Sequence, residues 1–420
     1  MRFPYLRSTL VVSLSLASGA LFANGLSLNE QSASGAGTAF AGRASSALDA
    51  STVFGNPAGL SKLEGKQVSG GFAMVKANVE ISRVDTNAPG TSKGDMVPLA
   101  SVPFAFFAMP IDEKWNFGLG MYVPFGLISD YEKSFQGSSH GQYSKVAVMT
   151  LQPTLSYKIT DRVAVGFGPT LNKIDGKLTN TLQTRLSPTG QDTLINIKGD
   201  DTALGYNIGL MVDLSEQTTW GITYHSKVDY TLEGRTKVYN APLPVNGEYK
   251  ATLDFTTPES VDTSISHKLD DQWTLHGGLT WTRWSRLESI AAKNQGVPSA
   301  VQGQFGVLRE ELKWHNTWAY SIGASYQVNP HWVLRTGFAL DQSPTTNEYR
   351  TVRIPVGHRK ILTFGTGWQA SDNLTIDLAY AYIRENTAGV NQQASAYRPA
   401  YRATYRNSAH GFTGQATWKF

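Results

Sequence analysis

The 420-residue chain has no cysteine, which excludes a disulfide framework and any thiolate metal centre. Beyond its first two dozen residues it has no run of about 18 apolar residues, so membrane-spanning helices are excluded. Strong charge of either sign is also missing: 37 basic residues face 33 acidic ones, a net charge of +4, too little for nucleic-acid binding. The eight histidines are scattered; none stands two residues before a serine, and none forms a His/Asp/Glu cluster at metal-ligand spacing. The chain is therefore expected to be no enzyme and to need no cofactor or metal.

What the chain does contain is a leader and many strands. Residues 1–23 carry Arg2 and Arg7, an apolar core at residues 10–16 and small residues up to Ala23, the pattern of a secretory signal peptide cleaved after Ala23, with Ala20 as the alternative. Its removal leaves 35 basic and 33 acidic side chains, a net charge of +2. From Gln67 onward, short segments alternate apolar and polar residues, and aromatics make up 11% of the chain. Six short polar turns interrupt them: Asp112-Glu113-Lys114, Thr160-Asp161-Arg162, Ser215-Glu216-Gln217, Asp270-Asp271-Gln272, Asn329-Pro330-His331 and Ser371-Asp372-Asn373. Between these lie longer polar stretches at 132–141, 183–200, 295–305 and 386–400. Short turns on one side and long loops on the other are the mark of an outer-membrane barrel. With both termini on the periplasmic side, six short turns imply seven hairpins, hence an all-β transmembrane barrel of 14 antiparallel strands over residues 67–420.

Period-two patterning assigns the faces. Trp220, Ile222, Tyr224, Val228 and Tyr230 are expected to meet lipid, with Thr223, His225, Lys227, Asp229 and Thr231 in the lumen. Leu374, Ile376, Leu378, Tyr380 and Tyr382 repeat the pattern against Thr375 and Asp377. Trp115, Trp220, Trp273 and Trp332 stand beside the short turns, where an interfacial girdle belongs. Fourteen strands about 4.8 Å apart and tilted about 40° enclose a diameter near 28 Å, wider than side chains can fill. Such a barrel needs a plug, and residues 24–66 suit one: they are rich in Gly, Ala and Ser and show no alternation. Their sharpest feature is Asn56-Pro57-Ala58, where proline fixes φ and the Asn side chain can cap the turn that follows.

Three features together, Leu28-Asn29-Glu30, the Ser34-Gly35-Ala36-Gly37 run and Asn56-Pro57-Ala58, resemble the FadL family of outer-membrane transporters for long-chain fatty acids and other hydrophobic compounds. The resemblance implies a 14-stranded barrel closed by a small, partly helical N-terminal hatch, and a kinked third strand that opens sideways beside it. Here the third strand carries Val123-Pro124-Phe125-Gly126. Proline cannot donate to a ladder and glycine weakens one, so this strand should break and be covered from inside by the hatch near Asn56-Pro57-Ala58. By alignment with the family's carboxylate-contacting residues, Lys173 on the fifth strand and His315 on the tenth are the candidate head-group ligands, both different in type from the family pattern.

The expected function is passive outer-membrane transport of long-chain fatty acids or related hydrophobic molecules, by a monomer in a Gram-negative outer membrane. Its expected partners are that ligand, outer-membrane lipid and lipopolysaccharide, and the barrel assembly machinery. An aromatic-hydrocarbon channel, an exporter of modified fatty acids and an adhesion or receptor barrel are the alternatives; direction is not encoded in a passive conduit. Finally, Phe412, Gly414, Ala416, Trp418 and Phe420 alternate with Thr413, Gln415, Thr417 and Lys419, similar to the terminal-strand signal read during barrel assembly. Deleting Phe420 is expected to lower the yield of heat-modifiable, folded barrel in the outer membrane while leaving secretion unchanged; a normal folded yield would refute the signal.

Overall fold

The structure, a computed structural model, describes residues 25–183, 190–241, 245–395 and 397–420; the leader expected at residues 1–23 lies outside them. Fourteen antiparallel strands close into a barrel. They are β1 (Gln67–Asp85), β2 (Ala100–Pro110), β3 (Trp115–Asp130), β4 (Tyr143–Thr160), β5 (Val163–Leu182), β6 (Thr193–Asp213), β7 (Thr218–His225 and Val228–Tyr239) and β8 (Gly247–Thr257 and Ser260–Lys268). The remainder are β9 (Trp273–Thr282 and Ser289–Gln295), β10 (Val307–Glu311 and Thr317–Asn329), β11 (Trp332–Asp341), β12 (Arg359–Gln369), β13 (Leu374–Glu385 and Ala388–Gln392) and β14 (Tyr401–Lys419). Each strand pairs with its neighbour in the chain, and β14 pairs back with β1, Gln67 standing opposite Lys419.

All six short turns fall between strands where the sequence places them. Three share one device. The side chains of Asp112, Asp270 and Asn329 each accept hydrogen bonds from the backbone N–H groups two and three residues on, at 2.7–3.1 Å. In each case the second donor belongs to a tryptophan, so the turn that reverses the chain also fixes a girdle residue. Trp115, Trp273 and Trp332 are exposed. They pack on aromatics of the next strand, Trp115 on Tyr157 at 4.6 Å, Trp273 on Tyr326 at 4.7 Å and Trp332 on Trp368 at 5.7 Å between ring centroids.

One face assignment fails. Trp220, Ile222 and Tyr224 point outward, but Val228 and Tyr230 are buried inside the barrel and Asp229 and Thr231 are exposed. Between the pairs Asn207↔His225 and Asp200↔Glu233, β7 uses one residue more than β6. This bulge at Ser226-Lys227 exchanges the two faces.

Residues 25–66 form no strand and fill the lumen with short helical turns at Ala33–Ala36, Thr52–Gly55 and Pro57–Lys62. Their backbone can approach the wall because the inward positions opposite them are glycines: a Cβ at Gly166 would overlap Pro57 and Ala58, one at Gly209 would overlap the Asn56 side chain, and one at Gly221 would overlap the Ala44 carbonyl. Asn56 is fully buried. Its Oδ1 accepts from the Ala58 N–H at 3.0 Å, and its Nδ2 donates to the carbonyls of Ala44 at 2.6 Å and of Leu210, on β6, at 3.1 Å. Ser156 of β4 donates to the Ala58 carbonyl at 3.1 Å. Asn56-Pro57-Ala58 therefore rivets the plug to β4–β7. The Asn56→Ala substitution leaves these buried groups without partners and should weaken the plug by about 2–4 kcal/mol. Hydrogen exchange should show residues 44–58 opening faster while the amides of β5 and β6 keep their protection.

Candidate functional site

The site is built on a defect in β3. Pairing with β2 ends at Ala105↔Met121, although β2 runs on to Ala100 along β1. Pairing with β4 shifts between Tyr122↔Thr150 and Phe125↔Val148, which leaves an extra residue at Val123-Pro124. Proline cannot complete a ladder there, so the edge of β3 stands open from Tyr122 upward.

The start of the plug closes that edge. Leu28 N–H donates to the Pro124 carbonyl at 2.7 Å, Gly126 N–H donates to the Leu26 carbonyl at 2.8 Å, and Ser27 forms an antiparallel bridge with Phe125. Gln31 Nε2 adds a bond to the Val123 carbonyl at 2.6 Å. The covering residues are thus 26–31, whereas Asn56-Pro57-Ala58, expected at the break, lies against β4–β7. Just before the bridge, Gly25 (φ 64°) sits between Trp284 and Trp314, both buried and 5.1 Å apart edge-on. A Cβ there would overlap both rings. Trp284 also meets Phe125 edge-on at 6.3 Å.

Two chambers flank this segment. The outer one is walled by apolar side chains such as Leu127, Ile174, Leu232, Phe255 and Leu312, with Leu26 against it. Residues 342–358, the connection from β11 to β12, fold in to cover the barrel: Val352 and Ile354 are buried, and the Val352 carbonyl accepts from Tyr131 Oη at 2.6 Å. The inner chamber begins on the other side of the segment at Ser27 and Leu28 and reaches Pro124 and Phe125 at the break. Phe40, Phe54, Val228 and Tyr230 give it apolar surface. The bulge in β7 is what turns Val228 and Tyr230 into it. A third space lies on the short-turn side, lined by Ser45, Ser46, His276, Ser325, Gln327 and Arg335.

The inner chamber's one guanidinium is held by protein groups. Arg43, the single cation of residues 24–61, faces Asp262 at 3.4 Å, donates to Asn29 Oδ1 at 2.9 Å and lies over the Phe40 ring at 4.8 Å. Asp262 also accepts from Thr280 at 2.6 Å and lies 3.3 Å from His225. Glu30 lines the same space, and burial raises its carboxyl above the usual range against the opposing pull of its own backbone, Arg359 and Arg43. A polar cluster of Tyr122, Gln152 and Asn207 stands beside it; Asn207 donates to Gln152 at 2.6 Å, and Gln152 donates to the plug at the Val53 carbonyl, 2.8 Å.

The two residues aligned as head-group ligands lie elsewhere. Lys173 is exposed on the outer face of β5, and its neighbours Asn172 and Ile174 are the ones that turn inward. In a strand, a displacement of one residue changes the face. His315 is exposed where β10 is interrupted, its N–H bound to the Pro344 carbonyl at 2.9 Å, and it lines neither chamber. Sequence reading missed Arg43 and Asp262. Arg43 carried one signal, being the lone cation of an otherwise small and apolar stretch; Asp262, on an ordinary alternating strand, carried none.

A closed 14-stranded barrel, plugged from its N-terminus, with stacked apolar chambers and a defect in its wall, defines an outer-membrane transport barrel. Residues 14–420 match the model of the family described as outer membrane protein transport protein (OMPP1/FadL/TodX), and the chain belongs to that family. It is 28% identical to outer membrane protein P1 of Haemophilus influenzae, over 90% of each chain. It is 24% identical to the long-chain fatty acid transport protein of Escherichia coli (strain K12), over 92% of this chain and 94% of that one. The crystal structure of a Pseudomonas aeruginosa FadL homologue shares the fold, with a TM-score of 0.84 at 23% identity, covering 94% of this chain and 100% of that one.

Proposed function

We propose that this chain is a passive channel through which hydrophobic small molecules pass from the outer chamber, across the partition at residues 26–28, into the inner chamber and out sideways through the break in β3. One observation carries the reading: the segment that separates the two chambers is the same segment that supplies the missing backbone partners of β3. A ligand that displaces it would join the chambers and open the wall in one movement. The competing exit, past the plug to the short-turn side, runs into hydroxyl and imidazole groups bonded to one another, Ser45 to Ser266 at 2.7 Å and Ser266 to His276 at 2.8 Å. An apolar molecule gains nothing there.

Affinity comes from the tail. Burying about 16 carbons at about 0.8 kcal/mol per methylene offers on the order of 12 kcal/mol gross, against about 4 kcal/mol for a cation beside a carboxylate at intermediate dielectric. The inner chamber also withholds its cation, since Arg43 is held by Asp262 and Asn29 while Glu30, Asp262 and Asp341 line the same space. This balance favours relatives of long-chain fatty acids with an uncharged polar end, and gives the aromatic-hydrocarbon reading support of its own. Lipopolysaccharide, the barrel assembly machinery and a monomeric state belong to the same proposal.

Two measurements test it. Ser27 and Phe125 form a non-hydrogen-bonded antiparallel pair, for which Cα atoms lie about 4.5 Å apart, a spacing that a disulfide spans. In this cysteine-free chain, Ser27→Cys with Phe125→Cys should cross-link on oxidation, abolish uptake of a labelled hydrophobic ligand by cells, and recover on reduction. Uptake at the wild-type rate by the oxidised protein would send the path through the plug instead. Asp262→Asn should release Arg43 and tighten binding of a fatty acid carboxylate by roughly 1–3 kcal/mol while leaving a neutral hydrocarbon unaffected; unchanged carboxylate affinity in a calorimetric titration would mean that Asp262 does not hold Arg43 away from the ligand.

A further inference from the structure

The long-loop half of the wall carries a line of cations. In register across the sheet, Lys145 of β4 stands opposite Lys177 of β5, Lys177 opposite Lys198 of β6, Lys198 opposite Arg235 of β7, and Arg235 opposite Lys250 of β8. Five positive residues thus cross five neighbouring strands about 4.8 Å apart. They belong to the outer surface: Lys198, Arg235 and Lys250 are exposed, and next to the five in sequence Val146, Gly176, Ile197 and Ala251 line the outer chamber, which Lys198 also borders, while Thr236 is fully buried.

Like charges directly opposite one another destabilise a sheet, so the line costs stability unless anions cover it. The protein supplies few. Arg235 pairs with Glu248, and Lys177 lies 4.5 Å from the centre of the Tyr143 ring. Lys145, Lys198 and Lys250 form no ion pair among the described residues. Three acids, Asp175, Asp200 and Glu233, form their own line two residues nearer the membrane, about 7 Å along the strands.

Height selects the partner. On β6 the strongly exposed apolar residues run through Ile208 and Tyr206 to Leu204, which is 75% exposed. Lys198 lies six residues further on, about 15 Å above that edge at about 3.3 Å per residue and a tilt of about 40°. In an outer membrane this is the level of the phosphorylated, carboxylate-bearing saccharide that caps the lipid of the outer leaflet. Resting on the lipopolysaccharide contact of the proposed function, we propose that the line from Lys145 to Lys250 is a docking surface for that saccharide, its phosphates lying across the five cations and cancelling their mutual repulsion.

The test compares purified wild type with a fivefold variant, Lys145→Gln, Lys177→Gln, Lys198→Gln, Arg235→Gln and Lys250→Gln, by native mass spectrometry with a short-core lipopolysaccharide and its dephosphorylated form. A control, Lys227→Gln with Lys293→Gln, removes two exposed cations off the line that already pair with Asp229 and Asp254. Wild type and control should retain the phosphorylated glycolipid at least tenfold better than the fivefold variant, and none should retain the dephosphorylated form. Without glycolipid the fivefold variant should unfold at a higher temperature than wild type, and with it the order should reverse. Should the fivefold variant fail to insert, Lys198→Gln with Lys250→Gln should still lose at least threefold. Equal retention by wild type and either line variant would overturn the proposal and leave Asp175, Asp200 and Glu233 as the counter-charges, and retention of the dephosphorylated glycolipid by wild type would overturn it equally.

Discussion

In hydrocarbon, an unpaired backbone N–H or C=O costs several kcal/mol, and the whole molecule is arranged around that constraint. It is why fourteen strands close on themselves, with β14 returning to β1. It is also why the upper edge of β3, where pairing with β2 ends early, is filled by a separate piece of chain. Leu26, Leu28 and Gln31 supply there the hydrogen bonds that β2 does not. A repair made by a detachable segment differs from one made by a strand, since it can be undone without unfolding the wall. The defect and its cover together are what a gate requires.

The rest of the plug does the opposite work. Asn56 and its neighbours are bound to β4–β7 through buried hydrogen bonds, and glycines on those strands let plug and wall meet backbone to backbone. One end of the insert is fixed and the other is held by a few main-chain bonds and by two tryptophans closing on a residue without a side chain. The insert is thus anchored by buried side-chain bonds at residues 44–58 and joined to β3 mainly by backbone bonds at 26–31.

Electrostatics follows the same division between inside and outside. Within the inner chamber Arg43 is held by Asp262 and Asn29, beside the apolar surface of Phe40, Phe54, Val228 and Tyr230. On the outside, beyond the hydrocarbon, charges of one sign lie side by side, an arrangement that suits a surface wetted by anions better than one facing only water. Lys173 belongs to this outer population, not to the ligand.

The sequence by itself determined the barrel. Strand number followed from six short polar turns, three of them capped by an Asp or Asn side chain on its own backbone, and the need for a plug followed from the width of fourteen strands. The break at Val123-Pro124-Phe125-Gly126 followed from proline's missing donor, a property that no tertiary contact can restore. Those are local consequences of residue type, legible wherever the residues occur. What only the tertiary structure decided was everything that depends on phase and on partners distant in the chain. A single extra residue at Ser226-Lys227 turned Val228 and Tyr230 from the lipid face to the inner chamber, and the phase of β5 put Lys173 on its outer face. The choice of residues 26–31 over Asn56-Pro57-Ala58 to cover the break, and of Asp262 to hold Arg43 across 219 positions, rests on which surfaces meet when the sheet closes. Period two carries no memory across a bulge, and composition carries no information about closure; the physical reason is that a strand's own residues set its alternation, while only its neighbours set which side is in.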